Sequence, residues 1–216
     1  MPSPVYGHLV VARSVLDACV VAAWLNDPKA DVTERVKRGL CEQLYSAMEL
    51  VRLRLEENDP SAPQRNAAER RDYWKARAVA LGWTVKASSN KPVIDGTSRP
   101  SVPSGIAELL VGDGEARIGR TQWSYLSSVS HVTWYGLMQA ITSPAPAPGL
   151  GPGLVTYGTT SSSVRAHALC VLIALRKAAD ARFVLMGWAD DDWRAACARS
   201  HQHELELMQA YQQGNA

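Results

Sequence analysis

The chain has 216 residues, 46% of them hydrophobic and 20% charged, a soluble globular balance with enough length to bury one sizeable core. Its formal net charge of +2 is too small to demand a nucleic-acid or membrane partner. Four cysteines, Cys19, Cys41, Cys170 and Cys197, stand far apart with no C-x-x-C pair, which sets aside zinc and thioredoxin-like chemistry and suits small buried thiols in a reducing cytoplasm.

The pattern is helical nearly throughout. The opening MPSPVYGHLVVARS has neither the charged region nor the cleavage site of a signal peptide, and the apolar run Val15 to Leu25 is too short to span a bilayer, so a cytoplasmic protein without a membrane partner is expected. Gly7 to Asn26 is an almost wholly apolar helix ending at NDP, and a helix apolar on all sides belongs in the centre of a fold. Asp31 or Thr33 caps a second helix running to about Asn58. Its Val36, Leu40, Leu44, Met48, Val51 and Leu55 recur at the helical period, while Arg35, Lys37, Arg38, Glu42, Glu49 and Glu56 form the face expected to meet solvent. A third helix, about Gln64 to Leu81, is anchored by Tyr73, Trp74, Val79 and Leu81 and stops at Gly82.

Residues 83–103, dense in Pro, Gly, Ser and Asn, read as a long loop. A short helix from Ser104 to Val111 follows, then a longer one from about Glu115 to Thr142. A second loop at 143–160 alternates Pro and Gly, which neither a helix nor a strand interior tolerates. Ser161 to Gly187 is strongly apolar and enters through a serine cap, and Asp190 to Gln213 begins with DDD at its positive end. No internal repeat is present. The expectation is one all-α domain over residues 1–216, a bundle of about six helices with two long loops.

Candidate chemistry lies in polar groups set inside apolar helices. Arg13 and Asp17 sit one turn apart on the first helix, and a buried charge without a partner costs several kcal/mol, so the two are expected to pair with each other or with neighbours. Ser124, Ser128, His131 and Tyr135 fall along one helical stripe, and His167 interrupts AHALCVLIAL. Two readings stand. In one, these residues line a pocket in which His131 acts as general acid or base, Tyr135 assists, Ser128 orients the imidazole, and Arg13, Asp17 and His167 hold a ligand. In the other, they form a hydrogen-bonded network that only fixes helix register.

Other patterns point elsewhere with less force. HQHELE brings His201 and Glu204 near one face but supplies too few ligands for a metal, and no motif calls for a cofactor. WADDDW resembles half of the aspartate motif of terpene cyclases, and Asn26 to Glu34 carries part of their second metal motif, with Ala30 in place of the hydroxyl and the two in reversed order. The runs RVKRGL, RLR and ERRDYWKAR could meet single-stranded nucleic acid, though acidic neighbours dilute each one.

Tyr125-Leu126-Ser127 with His131 four residues on resembles a helix of all-helical bacterial proteins near the HEPN-like superfamily. The WLNDP helix end with RVKRGL is similar to a family of actinobacterial proteins whose role is uncharacterised. The resemblance covers about the first 55 residues and the 115–142 helix. It implies a helical cytoplasmic bundle, with RNA cleavage through an Arg-x4–6-His motif as an associated activity. Arg120 and His131 are too far apart for that motif; Arg194 and His201 match its spacing, with Ala195 where a polar residue usually follows the arginine. The leading expectation is therefore a bundle that binds an unknown small molecule or protein through a polar-lined interior site, in regulation or defence, and that forms a homodimer. An HEPN-like ribonuclease or toxin and a small-molecule enzyme with an aromatic cavity, such as an isoprenoid cyclase, are the alternatives.

Overall fold

A computed structural model describes residues 7–55, 62–88, 91–109, 121, 123–128, 141–143, 156–157 and 161–214. Seven helical segments dominate them, so the all-α expectation holds. They are α1 (Gly7–Leu25), α2 (Val32–Leu55), α3 (Ala62–Ala80), α4 (Val102–Leu109), α5 (123–128), α6 (Ser161–Met186) and α7 (Asp191–Gly214). Helix ends follow local chemistry. Asp31 caps α2 by accepting the Glu34 N–H at 2.7 Å. Beyond α3, the N–H of Gly82 reaches the Val79 carbonyl and that of Trp83 the Ala78 carbonyl, and Gly187 and Trp188 repeat the arrangement beyond α6.

Segment 83–103 is not a loop. It holds the antiparallel strands β1 (Val85–Ser88), β2 (Lys91–Ile94) and β3 (Thr97–Ser98), in sheet order β1-β2-β3, before α4 begins. Ile94 pairs with Thr97 around a two-residue turn in which Asp95 and Gly96 both have positive φ, 50° and 89°. That twist matches the strands it joins, and Asp-Gly is a sequence that adopts it. The last residues of the helix expected over 115–142 also differ: Ile141–Ser143 forms β4, paired with β5 (Thr156–Tyr157). A β-branched Ile-Thr pair directly before Ser143-Pro144 disfavours helix, because proline pushes the preceding residue into extended backbone.

Two apolar centres organise the molecule. In the first, α1 packs along α6 and crosses α4, with Leu9, Leu16, Val20, Ile106, Leu126, Ala174 and Ala178 buried. Gly105 is required at the α1–α4 crossing, since a Cβ there would lie 2.2 Å from Val20 Cγ1. In the second, α2 packs on α3 and on the sheet, with Leu40, Cys41, Ala78 and Ile94 buried beneath Trp24, Trp74, Trp83 and Val85. Trp24, at the end of α1, links the two. The charged face of α2 is consequently covered. Lys37 and Arg38 side chains are each 15% exposed and that of Glu42 is 21% exposed, whereas Val36 is exposed. The sheet and the α1–α2 turn lie where solvent was expected.

Candidate functional site: a polar seam and a charged cleft

The polar residues singled out from the sequence divide around α5. Arg13 Nε and Asp17 Oδ2 lie 3.8 Å apart on α1. The Trp123 indole donates to Asp17 Oδ1 at 2.9 Å, and the Arg13 guanidinium lies 5.8 Å from the centre of the same ring. Residues two apart on a helix point about 200° from one another. Tyr125 therefore faces away from α1 toward α6, where it stacks on the buried His167 with centroids 5.5 Å apart and planes 15° from parallel. Arg13 with Asp17, and His167, thus belong to one seam α1–α5–α6, on opposite sides of α5. Ser128 donates its hydroxyl proton to the Tyr125 carbonyl at 2.7 Å. His131 and Tyr135 lie outside the described residues.

The seam's chemistry is that of a well-buttressed joint. Asp17 accepts from an indole on one oxygen and faces a guanidinium with the other. Aromatic stacking on His167 aligns α6 with α5. Trp123 had no place in the sequence-level site, and a tryptophan beside an intrahelical Arg–Asp pair was the one available sign of it.

A cleft of about 330 Å³ opens where the end of α1, the α1–α2 turn, α4 and α6 meet. Its floor is apolar, with Val20, Trp24 and Leu109, and its rim carries Asp27, Lys29, Arg38, Glu108 and Lys177. Arg38 is its most constrained member. Its Nη1 donates to the Trp24 carbonyl at 2.7 Å and to Asp27 Oδ2 at 3.1 Å, and its Nε to Glu34 Oε1 at 3.0 Å. The Trp24 ring lies 5.7 Å from the guanidinium. Arg38 stood in the sequence only as part of the basic run RVKRGL, and Asp27 and Lys29 only within the Asn26–Glu34 motif; their meeting with Glu108 and Lys177 was not foreseen, because convergence of a helix end, a turn and two later helices has no one-dimensional signature. A different cleft, about 580 Å³ and almost wholly apolar, runs between α1 and α6 past the exposed Val10 and Val11 to Asn26 and Arg182.

Beside the sheet, Arg99 pairs with Glu42 at 3.3 Å and stacks 4.3 Å from the Tyr45 ring centre. Burial raises the Glu42 carboxyl above its ordinary range, and Arg99 offsets only part of that. The Cys41 thiol, also raised by burial, donates to the Pro92 carbonyl at 3.2 Å.

The remaining motifs are held in ordinary ways. Arg194 is ion-paired one turn along α7 with Asp190 at 2.5 Å, and it shares that helix with His201. Among the described residues, no three His, Cys, Asp or Glu side chains are grouped to hold a metal ion, and no helix is long and apolar enough to cross a membrane. Trp74 packs into the second apolar centre, away from the basic stretch in which it stands. No protein-family model matches the chain, and no curated protein or solved structure matches it either.

Proposed function

We propose that the chain acts by binding a small molecule or a partner in a polar-lined site between its helices. The observation that carries this reading is the charged cleft over Trp24: an apolar floor with a few convergent charged groups is the usual make-up of a small-molecule site, and 330 Å³ lies at the lower end of the roughly 300–1,000 Å³ such sites occupy. A cytoplasmic setting accords with four free thiols, three of them buried. The homodimer has its support in the apolar groove between α1 and α6, which leaves Val10 and Val11 exposed.

A thermal-shift screen of small metabolites tests the reading. A ligand present at about one hundred times its Kd raises the melting temperature by roughly 5–10 °C for a chain of this size. Ala181→Trp, which fills the cleft from α6, abolishes that rise if the ligand sits there. No stabilising compound, or one indifferent to Ala181→Trp, overturns the proposal. The rival ribonuclease reading has less behind it, since Arg194 would have to leave Asp190 to reach a phosphate. RNA cleavage by pure protein, lost in Arg194→Ala, would favour it instead.

A further inference from the structure

We infer that the cleft over Trp24 takes a zwitterion, an α-amino acid with a bulky apolar side chain, its charged head at the Arg38–Asp27 pair and its side chain on the apolar floor. This rests on the reading above that the cleft is a binding site, and it commits that site to one ligand chemistry.

Neither sign of charge prevails around the cleft. Asp27, Glu34 and Glu108 stand against Lys29, Arg38 and Lys177. A ligand with one net charge gains nothing from such a surface as a whole, so the choice falls to single groups with bonding capacity to spare. Arg38 and Asp27 both have it, and they touch, with Nη1 3.1 Å from Oδ2. A guanidinium has five N–H donors. Three of them are taken by Glu34, the Trp24 carbonyl and Asp27, whereas the two on Nη2 have no acceptor among the described residues. An ionised carboxylate has about four lone-pair sites. Asp27 uses one on Oδ2 for Arg38 and one on Oδ1 for the Lys29 N–H, which leaves acceptor capacity on both oxygens. The pair therefore offers donors and acceptors side by side. An α-amino acid presents the matching arrangement, a carboxylate and an ammonium on one carbon. Its carboxylate answers Nη2, to which the guanidinium fork is suited, and its ammonium answers the open lone pairs of Asp27.

The rim repeats this duality. Lys29 in the α1–α2 turn and Glu108 on α4 are exposed, and neither side chain has an ion pair or hydrogen bond among the described residues. An anion would be drawn by Lys29 and repelled by Glu108, and a cation the reverse. An uncharged ligand would strip water from Nη2 and Asp27 without replacing its hydrogen bonds. Arg38 is already held by Glu34 and the Trp24 carbonyl and backed by the Trp24 ring, so engaging the pair requires little further ordering. Val20, Leu109 and the indole are apolar and receive the side chain.

Three probes with one side chain test the inference on the full chain: L-phenylalanine, N-acetyl-L-phenylalanine, which lacks the ammonium, and L-phenylalaninamide, which lacks the carboxylate. Binding is followed by calorimetry and by the Trp24 indole N–H resonance. Phenylalanine is expected to bind saturably and at least tenfold tighter than either blocked form, and Ala181→Trp to abolish its binding. Two variants at exposed positions leave the Arg38–Asp27 pair intact. Lys29→Gln should weaken phenylalanine at least threefold and leave the amide unchanged; Glu108→Gln should weaken phenylalanine as much and leave the N-acetyl form no weaker. A blocked form bound in the cleft as tightly as phenylalanine overturns the zwitterion while the cleft remains a site. No saturable binding of phenylalanine, or binding indifferent to Ala181→Trp, overturns this inference alone. The cleft itself falls only if the metabolite screen also yields no compound sensitive to Ala181→Trp.

Discussion

Trp123 donates its indole proton to Asp17 across 2.9 Å, joining two residues 106 positions apart in the chain. Through that bond α5 is fastened to the middle of α1, the helix on which the first apolar centre is assembled. Hydrogen bonds to a charged acceptor contribute about 1.5–3 kcal/mol. Trp123→Phe keeps most of the packing and is expected to cost about 1–3 kcal/mol in urea unfolding, from the bond and the smaller ring. A double-mutant cycle with Asp17→Asn should show coupling of about 0.5–3 kcal/mol. Strict additivity of the two changes would mean that the bond contributes nothing.

Gly105 gives a cleaner steric test. In an exposed helix, Gly→Ala stabilises by about 0.5–1 kcal/mol. Here the added Cβ meets Val20 Cγ1 at 2.2 Å, and Val20 is itself buried. Gly105→Ala is therefore expected to destabilise by about 1–3 kcal/mol, as overpacked cores do. Adding Val20→Ala should recover part of the loss. A thermal midpoint unchanged or raised by Gly105→Ala alone would mean that α4 does not cross α1 so closely.

Glu42 sets a pH dependence of definite sign. Burial raises its folded-state pKa above the unfolded value, so the folded protein holds the proton more tightly. Its contribution to stability is then fully present below the ordinary carboxylate range and is lost as pH rises through the raised value. Glu42→Gln should flatten that decline and leave the protein at neutral pH no less stable than wild type, even though the Arg99 pair is gone. Chemical denaturation across a pH series reads this directly. A variant markedly weaker at neutral pH would show that the ion pair outweighs the burial.

The four thiols should separate by rate. Cys19, Cys41 and Cys170 are buried, and burial holds Cys19 and Cys41 in the thiol form, whereas Cys197 on α7 is partly exposed. Iodoacetamide on native protein is expected to label Cys197 first, with the other three reacting only on unfolding. Early labelling of Cys41 would show that the sheet opens readily from α2.

For the dimer, Val11→Glu places a charge on the apolar groove without touching either core. Light scattering should then show a dimeric wild type and a monomeric variant. A monomeric wild type at high micromolar concentration removes the proposal.

Helices were legible because their signals are local. The apolar run of α1, the serine entry of α6 and the glycines at 82 and 187 place those elements to within a residue or two. The sheet was missed although Asp95-Gly96 announced it: dense Pro, Ser and Asn resembles a loop, and the strands are only two to four residues long. The covered face of α2 was illegible for a different reason. Lys37, Arg38 and Glu42 have the composition of a solvated stripe, and only Asp95 and Arg99 from later in the chain and the Trp24 carbonyl from the helix before make them interior partners. Arg13 with Asp17 could be paired from spacing alone, since residues four apart meet on one helix. Their meeting with Trp123 depends on a fold that spacing does not encode.

The pairing of α1 with α6 also bears on how the chain emerges from the ribosome. Residues 32–98 can close the second centre among themselves as soon as they are made, because α2, α3 and the sheet follow one another directly. The flank of α1 that faces α6 has no such neighbour and waits for Ala174 and Ala178, made long after it. Until then it stays uncovered, open to capture by a chaperone or by another nascent chain. Cellular yield should therefore depend more on what shields α1 during elongation than on the stability of the finished fold.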